Sequence, residues 1–434
     1  MYRINARIKA VTQRGHDIFR CTFFFLVIIS SSAMAEQSIE LKNLAPFYIE
    51  ESLRPRVYFW IDIYAKYNSW ETVLHDQKYP QIVYGIAQKS DKKNNVVALK
   101  NKYKKILLFL HKNKADIEAG KKQITAEEKR IFDLFETIEG EGKFLLAADI
   151  KRIRGQAGLK DHLVQALYMS GRYLPRMEKV FQSQGLPAEI AYLPFVESGF
   201  NKKAVSKVGA SGIWQFMPYT GRLFLRVDDV VDERNDPMRA AFAATRLMKQ
   251  NYELLKEWPL AITAYNHGPM GIARAVKEIG SKSLAEIIEK YESPSFGFAS
   301  QNFYACFLAA LHVAANSTAY LGEVEKAKKL EFDEFVLPDF VSMETLIKYL
   351  DLDKKEVREL NPALTSLVYD GKKYIPVGYT LRIPIKVRDD FLAKYEKIPK
   401  ELKLTQQKME APAETIAAPA VPAVMISEPL SSVK

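Results

Sequence analysis

The sequence predicts a mainly α protein with a helical N-terminal region and a small βααβ module near its C-terminal end. Three observations predict it. Apolar residues recur at helical spacing through residues 151–325, as in "MRAAFAATRLMKQNYELL", where Ala240, Ala244, Leu247, Met248 and Leu255 form one stripe. Helix-start signals accompany that spacing: Asp236-Pro237 sets an N-cap before a proline at the first helical position, and Thr125-Ala126-Glu127-Glu128 is a capping-box pattern. Between 330 and 390 the period changes. "FDEFVLP", "SMETLIKYLDL", "DKKEVRELNP" and "YTLRIPI" then read in order as strand, helix, helix and strand.

A chain of 434 residues suggests two or three domains, and 48% hydrophobic residues are enough for a substantial core. Residues 1–35 read as a signal peptide. Arg3, Arg7, Lys9, Arg14 and Arg20 precede the apolar "CTFFFLVIISSSAMA", and Ala33-Met34-Ala35 is an A-x-A cleavage site. The competing reading, an uncleaved membrane anchor, is disfavoured because the apolar run falls short of the roughly 20 residues a span needs. No lipidation pattern surrounds Cys21. An exported protein of the periplasm or cell envelope is expected.

Residues 36–150 are expected to be mainly helical, with an aromatic-rich "RPRVYFWIDIYAKYN", a short strand near Pro80–Tyr84 and a Lys-faced amphipathic helix in "NNVVALKNKYKKILLFLHKNK". Their role is not legible in the sequence; a scaffold for the next domain is the default. Residues 402–434, rich in Pro and Ala, are expected to be disordered.

The formal charge is +11, and loss of residues 1–35 leaves the chain basic. Outside the cytoplasm a basic surface suits an anionic polymer or headgroup layer, such as cell wall or membrane periphery, better than nucleic acid. One Cys remains beyond the signal, Cys306, inside "FYACFLAALHVAA", where it reads as a packing residue. Six His without ligand spacing, and no Walker or dinucleotide fingerprint, leave no cofactor or metal expected.

The chemistry concentrates near Glu197. In "LPAEIAYLPFVE", Ile190, Leu193, Pro194 and Glu197 share one helix face that is otherwise apolar, and Ser198-Gly199 would end the helix. Desolvation and the negative helix end both raise a carboxyl pKa there, which suits a general acid. On position alone a surface Glu is the simpler reading. Two further blocks favour chemistry. "SKVGASGIWQFMP" combines small residues with Trp214, Phe216 and Met217 as apolar surface and Gln215 as an amide. "WPLAITAYNHGP" ends a helix at Tyr265-Asn266, where Tyr265 could bring a phenol to the carboxyl. The acidic run from Asp228 to Asp236 reads as capping and pairing with Arg234 or Arg239, and His267 as a turn residue.

Glu197-Ser198, Gly212-Ile213-Trp214-Gln215 and Ala264-Tyr265-Asn266 stand in the order and spacing of the goose-type lysozyme and soluble lytic transglycosylase superfamily. "SGRYLPRMEKVFQSQGLPAEIAYLPFVESGFN" and "VDERNDPMRAAFAATRLMKQNY" most resemble its membrane-bound lytic murein transglycosylase D branch. The resemblance implies a lysozyme-like α+β catalytic domain over 151–325 that cleaves peptidoglycan glycan strands without water. Glu197 would be the acid and then the base. Ser206 would contact substrate, Gln215 and Met217 would line the pocket, and Tyr265 would hydrogen-bond the catalytic carboxyl. Asn266 and Ser198 complete the candidate binding set, Asn266 closing a turn and Ser198 capping or orienting Glu197. Residues 330–390 are similar to a LysM module but show Ser342-Met343-Glu344-Thr345-Leu346 where the usual opening is "GDTL". A hydrolytic muramidase on the same fold and a non-catalytic peptidoglycan-binding protein are the competing readings.

Overall fold

The computed structural model describes residue 41 and residues 45–88 and 95–407. The expected signal peptide and positions 408–434 of the expected tail lie outside the described residues.

Helix α1 (Arg54–Ala65) is buried on most sides. Val57, Trp60 and Ile61 pack inward while Tyr58 and Asp62 face out. It is followed by an antiparallel sheet ordered β2-β1-β3, from β1 (Glu71–Asp76), β2 (Val83–Gln88) and β3 (Ile153–Ala157). The pairing of Thr72 with Ala157 in the β1–β3 register means that segments before and after residue 150 share one sheet. Helix α2 (Asn95–Glu118) lays Tyr103, Leu107 and Leu110 into the core beneath that sheet, at the i, i+4, i+7 spacing of one face. Its lysines stay on the outer side, as its sequence pattern predicts. Helix α3 (Ala126–Asp133) starts with the expected capping box: the Glu128 amide donates to Thr125 Oγ1 at 3.2 Å, and the Thr125 amide to Glu128 Oε2 at 2.7 Å. Helix α4 (Lys143–Ala147) adds Phe144, which packs 5.1 Å from Phe135.

The next segment is built mainly of helices: α5 (Lys160–Ser170), α6 (Leu174–Ser183), α7 (Leu193–Glu197), α8 (Pro218–Arg222), α9 (Pro237–Leu255), α10 (Trp258–His267), α11 (Pro269–Ile279), α12 (Leu284–Lys290), α13 (Phe298–Ala315) and α14 (Ser317–Leu321). The Asp236 carboxylate caps α9 by accepting from the amides of Met238 and Arg239 at 2.9 and 3.0 Å. Helix α13 is the central post, buried almost all round from Asn302 to Val313, with Cys306 inside it. Burial of a side chain such as Phe307 or Leu308 stabilises by about 1.5–3 kcal/mol. Helix α1 docks on this post through two donors to one acceptor. Arg56 Nη1 and Trp60 Nε1 each reach Asn302 Oδ1 at 3.0 Å.

The last segment follows the expected order. Strand β4 (Phe332–Val336) pairs antiparallel with β5 (Thr380–Pro384), and α15 (Met343–Leu350) and α16 (Lys354–Leu360) lie between them in the chain. A short α17 (Ser366–Tyr369) and a C-terminal α18 (Arg388–Glu396) were not anticipated. The core of this segment includes Val230 and Val231 from the loop before α9. Backbone bonds join the two parts there: the Asp232 amide donates to the Ala363 carbonyl at 2.7 Å, and the Thr365 amide to the Val230 carbonyl at 3.0 Å. Among the described residues no helix is long and apolar enough to cross a membrane.

Candidate active site

The run from Pro187 to Glu197 is not one helix. Ala188–Tyr192 is a 3-10 turn, and α7 begins afresh at Leu193 with Pro194 in its first turn. The predicted face survives the break, because Ile190, Leu193 and Pro194 are all buried. Glu197 is the last residue of α7. The chain then turns back through two left-handed residues, Gly199 (φ 59°) and Phe200 (φ 56°). The Phe200 ring is fully buried and packs 4.7 Å from Phe195, which holds the strained turn in place.

Glu197 opens into a cavity of about 800 Å³, which Ser198, Tyr64, Asp161, His162 and Lys202 also line. Its carboxyl makes no hydrogen bond with the described residues. The group keeps an opening to the cavity while packed atoms exclude water from the rest of it, and this desolvation pushes its pKa up to about 8. A neutral, unbonded carboxyl at the wall of an open cavity can give a proton at neutral pH and later take one back. Asp161 is the other carboxylate of the cavity. It differs chemically: Ser69 donates to it through both amide and hydroxyl, at 2.8 and 2.7 Å, and its pKa is lowered, although its partial burial acts the other way.

Ser198 is the C-cap of α7, its amide donating to the Pro194 carbonyl at 3.2 Å, and its side chain makes no hydrogen bond to Glu197. Its hydroxyl donates to the Ile213 carbonyl at 2.8 Å and ties the end of α7 to the 212–217 block. That block is a tight backbone device. Gly212 has φ 77°, and a Cβ there would lie 1.9 Å from the Arg234 carbonyl oxygen. Gln215 is also left-handed (φ 50°), and its amide nitrogen donates to the carbonyls of Gly212 and Ala204 at 2.7 and 3.1 Å. Both donors of Gln215 are thereby spent on the loop, leaving its carbonyl oxygen as an acceptor. Ser206 closes the preceding turn, its hydroxyl accepting from the Ala210 amide at 2.9 Å.

Three expectations are corrected. Trp214 and Phe216 offer no surface to a ligand. Trp214 is fully buried, stacked 5.7 Å from Phe181, and donates to the Pro237 carbonyl; Phe216 is buried as well. Only Met217, 40% exposed, remains available, and neither it nor Gln215 nor Ser206 lines the Glu197 cavity. The Tyr265 hydroxyl does not reach the Glu197 carboxyl; it donates to the Trp214 carbonyl at 2.8 Å. Burial first, and then the nearby charge of Glu197, raise the Tyr265 pKa, so the phenol stays protonated beside the acid. Asn266 does not close a turn within its own loop. It accepts from Ser300 Oγ at 2.9 Å and lines a separate depression of about 620 Å³ with His267 and Arg274. Burial and the Arg274 charge lower the His267 pKa.

The acidic run behaves as expected. Asp232 pairs with Arg234 at 2.7 Å, Asp236 caps α9, and Glu233 lies 3.9 Å from Arg239. Arg234 does more than the sequence suggested. It is nearly buried, and its guanidinium donates to the carbonyls of Gly209 and Phe216 at 2.8 and 3.1 Å, clamping the Ser206–Met217 loop from behind. Sequence reading also missed Tyr64 and Asp161, which stand more than 30 positions before Glu197 and carry no local motif. The aromatic richness of "RPRVYFWIDIYAKYN" was the one signal for Tyr64.

Residues 178–288 match the family of the Transglycosylase SLT domain. Membrane-bound lytic murein transglycosylase D of Escherichia coli K12 is 35% identical over 98 residues, which is 22% of this chain and 22% of that protein. Its counterpart from Escherichia coli O6:H1 strain CFT073 matches to the same extent. The chain thus spans under a quarter of the length of these relatives. An inactive mutant of the lytic transglycosylase Slt from Pseudomonas aeruginosa covers 53% of this chain with 39% of its own, at 14% identity and a TM-score of 0.29, too loose a likeness to argue from. The segment that holds Glu197, Gln215 and Tyr265 therefore lies within the match to the Transglycosylase SLT domain family.

Proposed function

We propose that the chain is a peptidoglycan lytic transglycosylase, cleaving the β-1,4 bond between MurNAc and GlcNAc and leaving 1,6-anhydro-MurNAc ends. The observation that carries this reading is Glu197: a carboxyl without a hydrogen-bond partner among the described residues, its pKa pushed up to about 8, facing a cavity of sugar-binding size. Protonated Glu197 gives its proton to the glycosidic oxygen as the bond to the anomeric carbon breaks. The substrate's own 2-acetamido oxygen stabilises the positive anomeric carbon, so no second enzymic carboxylate is required. Glu197, now ionised, takes the proton of the MurNAc 6-hydroxyl. That oxygen bonds to the anomeric carbon, and Glu197 returns to its starting state. Acid–base assistance of this kind contributes typically about 10²–10⁴-fold.

Ser206, Gln215 and Met217 frame the substrate in this reading. Gln215 contributes its free carbonyl oxygen and Met217 its exposed thioether. Tyr265 acts through the loop, holding the Trp214 carbonyl in place. Residues 1–35 serve as an export signal and the site of action is the periplasm or cell envelope. The β4–α15–α16–β5 segment is a LysM-like glycan-binding module, with Ser342 capping α15 where the usual opening differs.

The hydrolytic alternative would draw on Asp161. That carboxylate is committed to Ser69, which favours the non-hydrolytic route. Digestion of purified sacculi decides it. Muropeptides one water lighter, with anhydro ends, are expected. Reducing ends would establish a muramidase instead, and binding without any product would leave a wall-binding protein.

A further inference from the structure

The cavity that receives Glu197 has a wall from outside the SLT segment. Tyr64 sits on α1, well before residue 178, yet lines that cavity beside Glu197. It is 4% exposed. A buried phenol ordinarily finds an acceptor for its hydroxyl. Tyr84 donates to Asp76, Tyr304 to the Tyr48 carbonyl, Tyr369 to the Asn361 carbonyl, and Tyr265 to the Trp214 carbonyl. The Tyr64 hydroxyl has no such partner among the described residues.

The position of this side chain is fixed from several directions. Arg56 and Trp60, on the same helix, are both anchored to Asn302 of α13. The Leu159 amide donates to the Ile63 carbonyl at 2.8 Å, and the Lys160 amide to the Tyr67 carbonyl at 2.9 Å, so the end of α1 is stitched to the start of α5. The Trp60 ring packs 6.3 Å from that of Tyr64. Burial, with the neighbouring Cys306 and Glu197, keeps the phenol protonated, so it remains a donor wherever Glu197 works. A rigid, buried donor and an unbonded carboxyl thus face one cavity without pairing to each other. A ligand that brings an oxygen between them would satisfy both.

We propose that Tyr64 contacts the substrate: its hydroxyl donates to an oxygen of the sugar unit held against Glu197, so the region before the SLT segment completes the binding site. This rests on the reading of Glu197 given above. It assigns to residues 45–88 a direct part in recognition beyond that of a scaffold. Tyr64→Phe removes one oxygen and leaves the ring, and since that oxygen serves no protein partner its loss should not unfold the chain.

The test uses full-length protein and an alternating GlcNAc–MurNAc tetrasaccharide. Binding is measured by calorimetry in the Glu197→Gln background with and without Tyr64→Phe, and melting temperature alongside. About tenfold weaker binding with an unchanged or higher melting temperature is expected. In the active enzyme Tyr64→Phe should lower kcat/KM by a similar factor while the pH at which activity falls stays put, because the hydroxyl acts on substrate and not through Glu197. Equal affinity, or a lower melting temperature without loss of affinity, overturns the assignment. If the parent cleaves sacculi and only the Tyr64 effect is missing, the function stands and this inference alone fails. If no protein binds the saccharide or cleaves sacculi, both fall.

Discussion

The hydroxyl of Ser198 donates to the carbonyl oxygen of Ile213 across 2.8 Å. This bond joins the residue after the acid to the loop that carries Gln215, and so couples two motifs that are separate in sequence. Ser198→Ala leaves the part-buried carbonyl short of a donor, at a cost of about 1 kcal/mol. A melting temperature lower by a few degrees is expected, with kcat several-fold lower as the loop slackens. Activity equal to the parent on sacculi would show that this tie is not needed for catalysis.

Glu197→Gln should abolish cleavage and also stabilise the fold in a pH-dependent way. The folded pKa, about 8, lies above the ordinary carboxyl value of 4.5. Between those values the folded protein binds more protons than the unfolded one, so the parent loses stability as pH rises through the window. Glutamine carries no such penalty. The variant should match the parent near pH 4 and exceed it by roughly 1–3 kcal/mol above pH 8. Denaturant titrations at both pH values check the sign. A parent whose stability is flat across this range would mean that Glu197 is not desolvated.

The same group predicts the upper limb of the activity profile. The acid step needs protonated Glu197, so kcat/KM on soluble glycan should fall above about pH 8. Activity still rising at pH 9 would assign the first proton to another group.

Gly212→Ala should be severe. The added Cβ would meet the Arg234 carbonyl oxygen at 1.9 Å, and the backbone there is left-handed. Loss of several kcal/mol is expected, read as insoluble or low-melting protein. A variant with parental melting temperature would mean that the loop relaxes freely.

Truncation before residue 330 would have looked like a clean test of the segment proposed to be LysM-like. The tertiary contacts predict otherwise. Arg382 pairs with Asp236, the N-cap of α9, at 2.5 Å, Arg172 pairs with Glu359, and Val230 and Val231 lie in the core of the last segment. Removal uncovers that core and leaves a nearly buried Asp236 without its cation, so a marked fall in melting temperature is expected. Glycan binding by this segment is better tested with exposed substitutions between α15 and β5.

Local rules carried the sequence reading far. The capping box at Thr125, the N-cap at Asp236, the buried stripe of α9 and the strand-helix-helix-strand order all depend on residues close together in the chain, and each is present. Glu197, Gln215 and Tyr265 were singled out because their short motifs resemble those of the superfamily in order and spacing. The errors came where partners are distant. Trp214 was read as apolar surface because an aromatic beside glycines does not reveal that Phe181 and Pro237 will cover it. Tyr265 was paired with the carboxyl because only the folded chain places the Trp214 carbonyl within its reach.

The sequence by itself determined the helical class, because periodicity, capping and turn chemistry act over a few residues, and it singled out Glu197 through motifs that resemble a known superfamily. Tertiary structure alone decided the environment of that acid. The water-poor wall that raises the Glu197 pKa, the tying of Asp161 to Ser69, the Arg234 clamp and the arrival of Tyr64 from α1 all arise from contacts between segments far apart in the chain. Desolvation and hydrogen bonding depend on what lies within a few ångströms in space, and adjacency in sequence does not specify that.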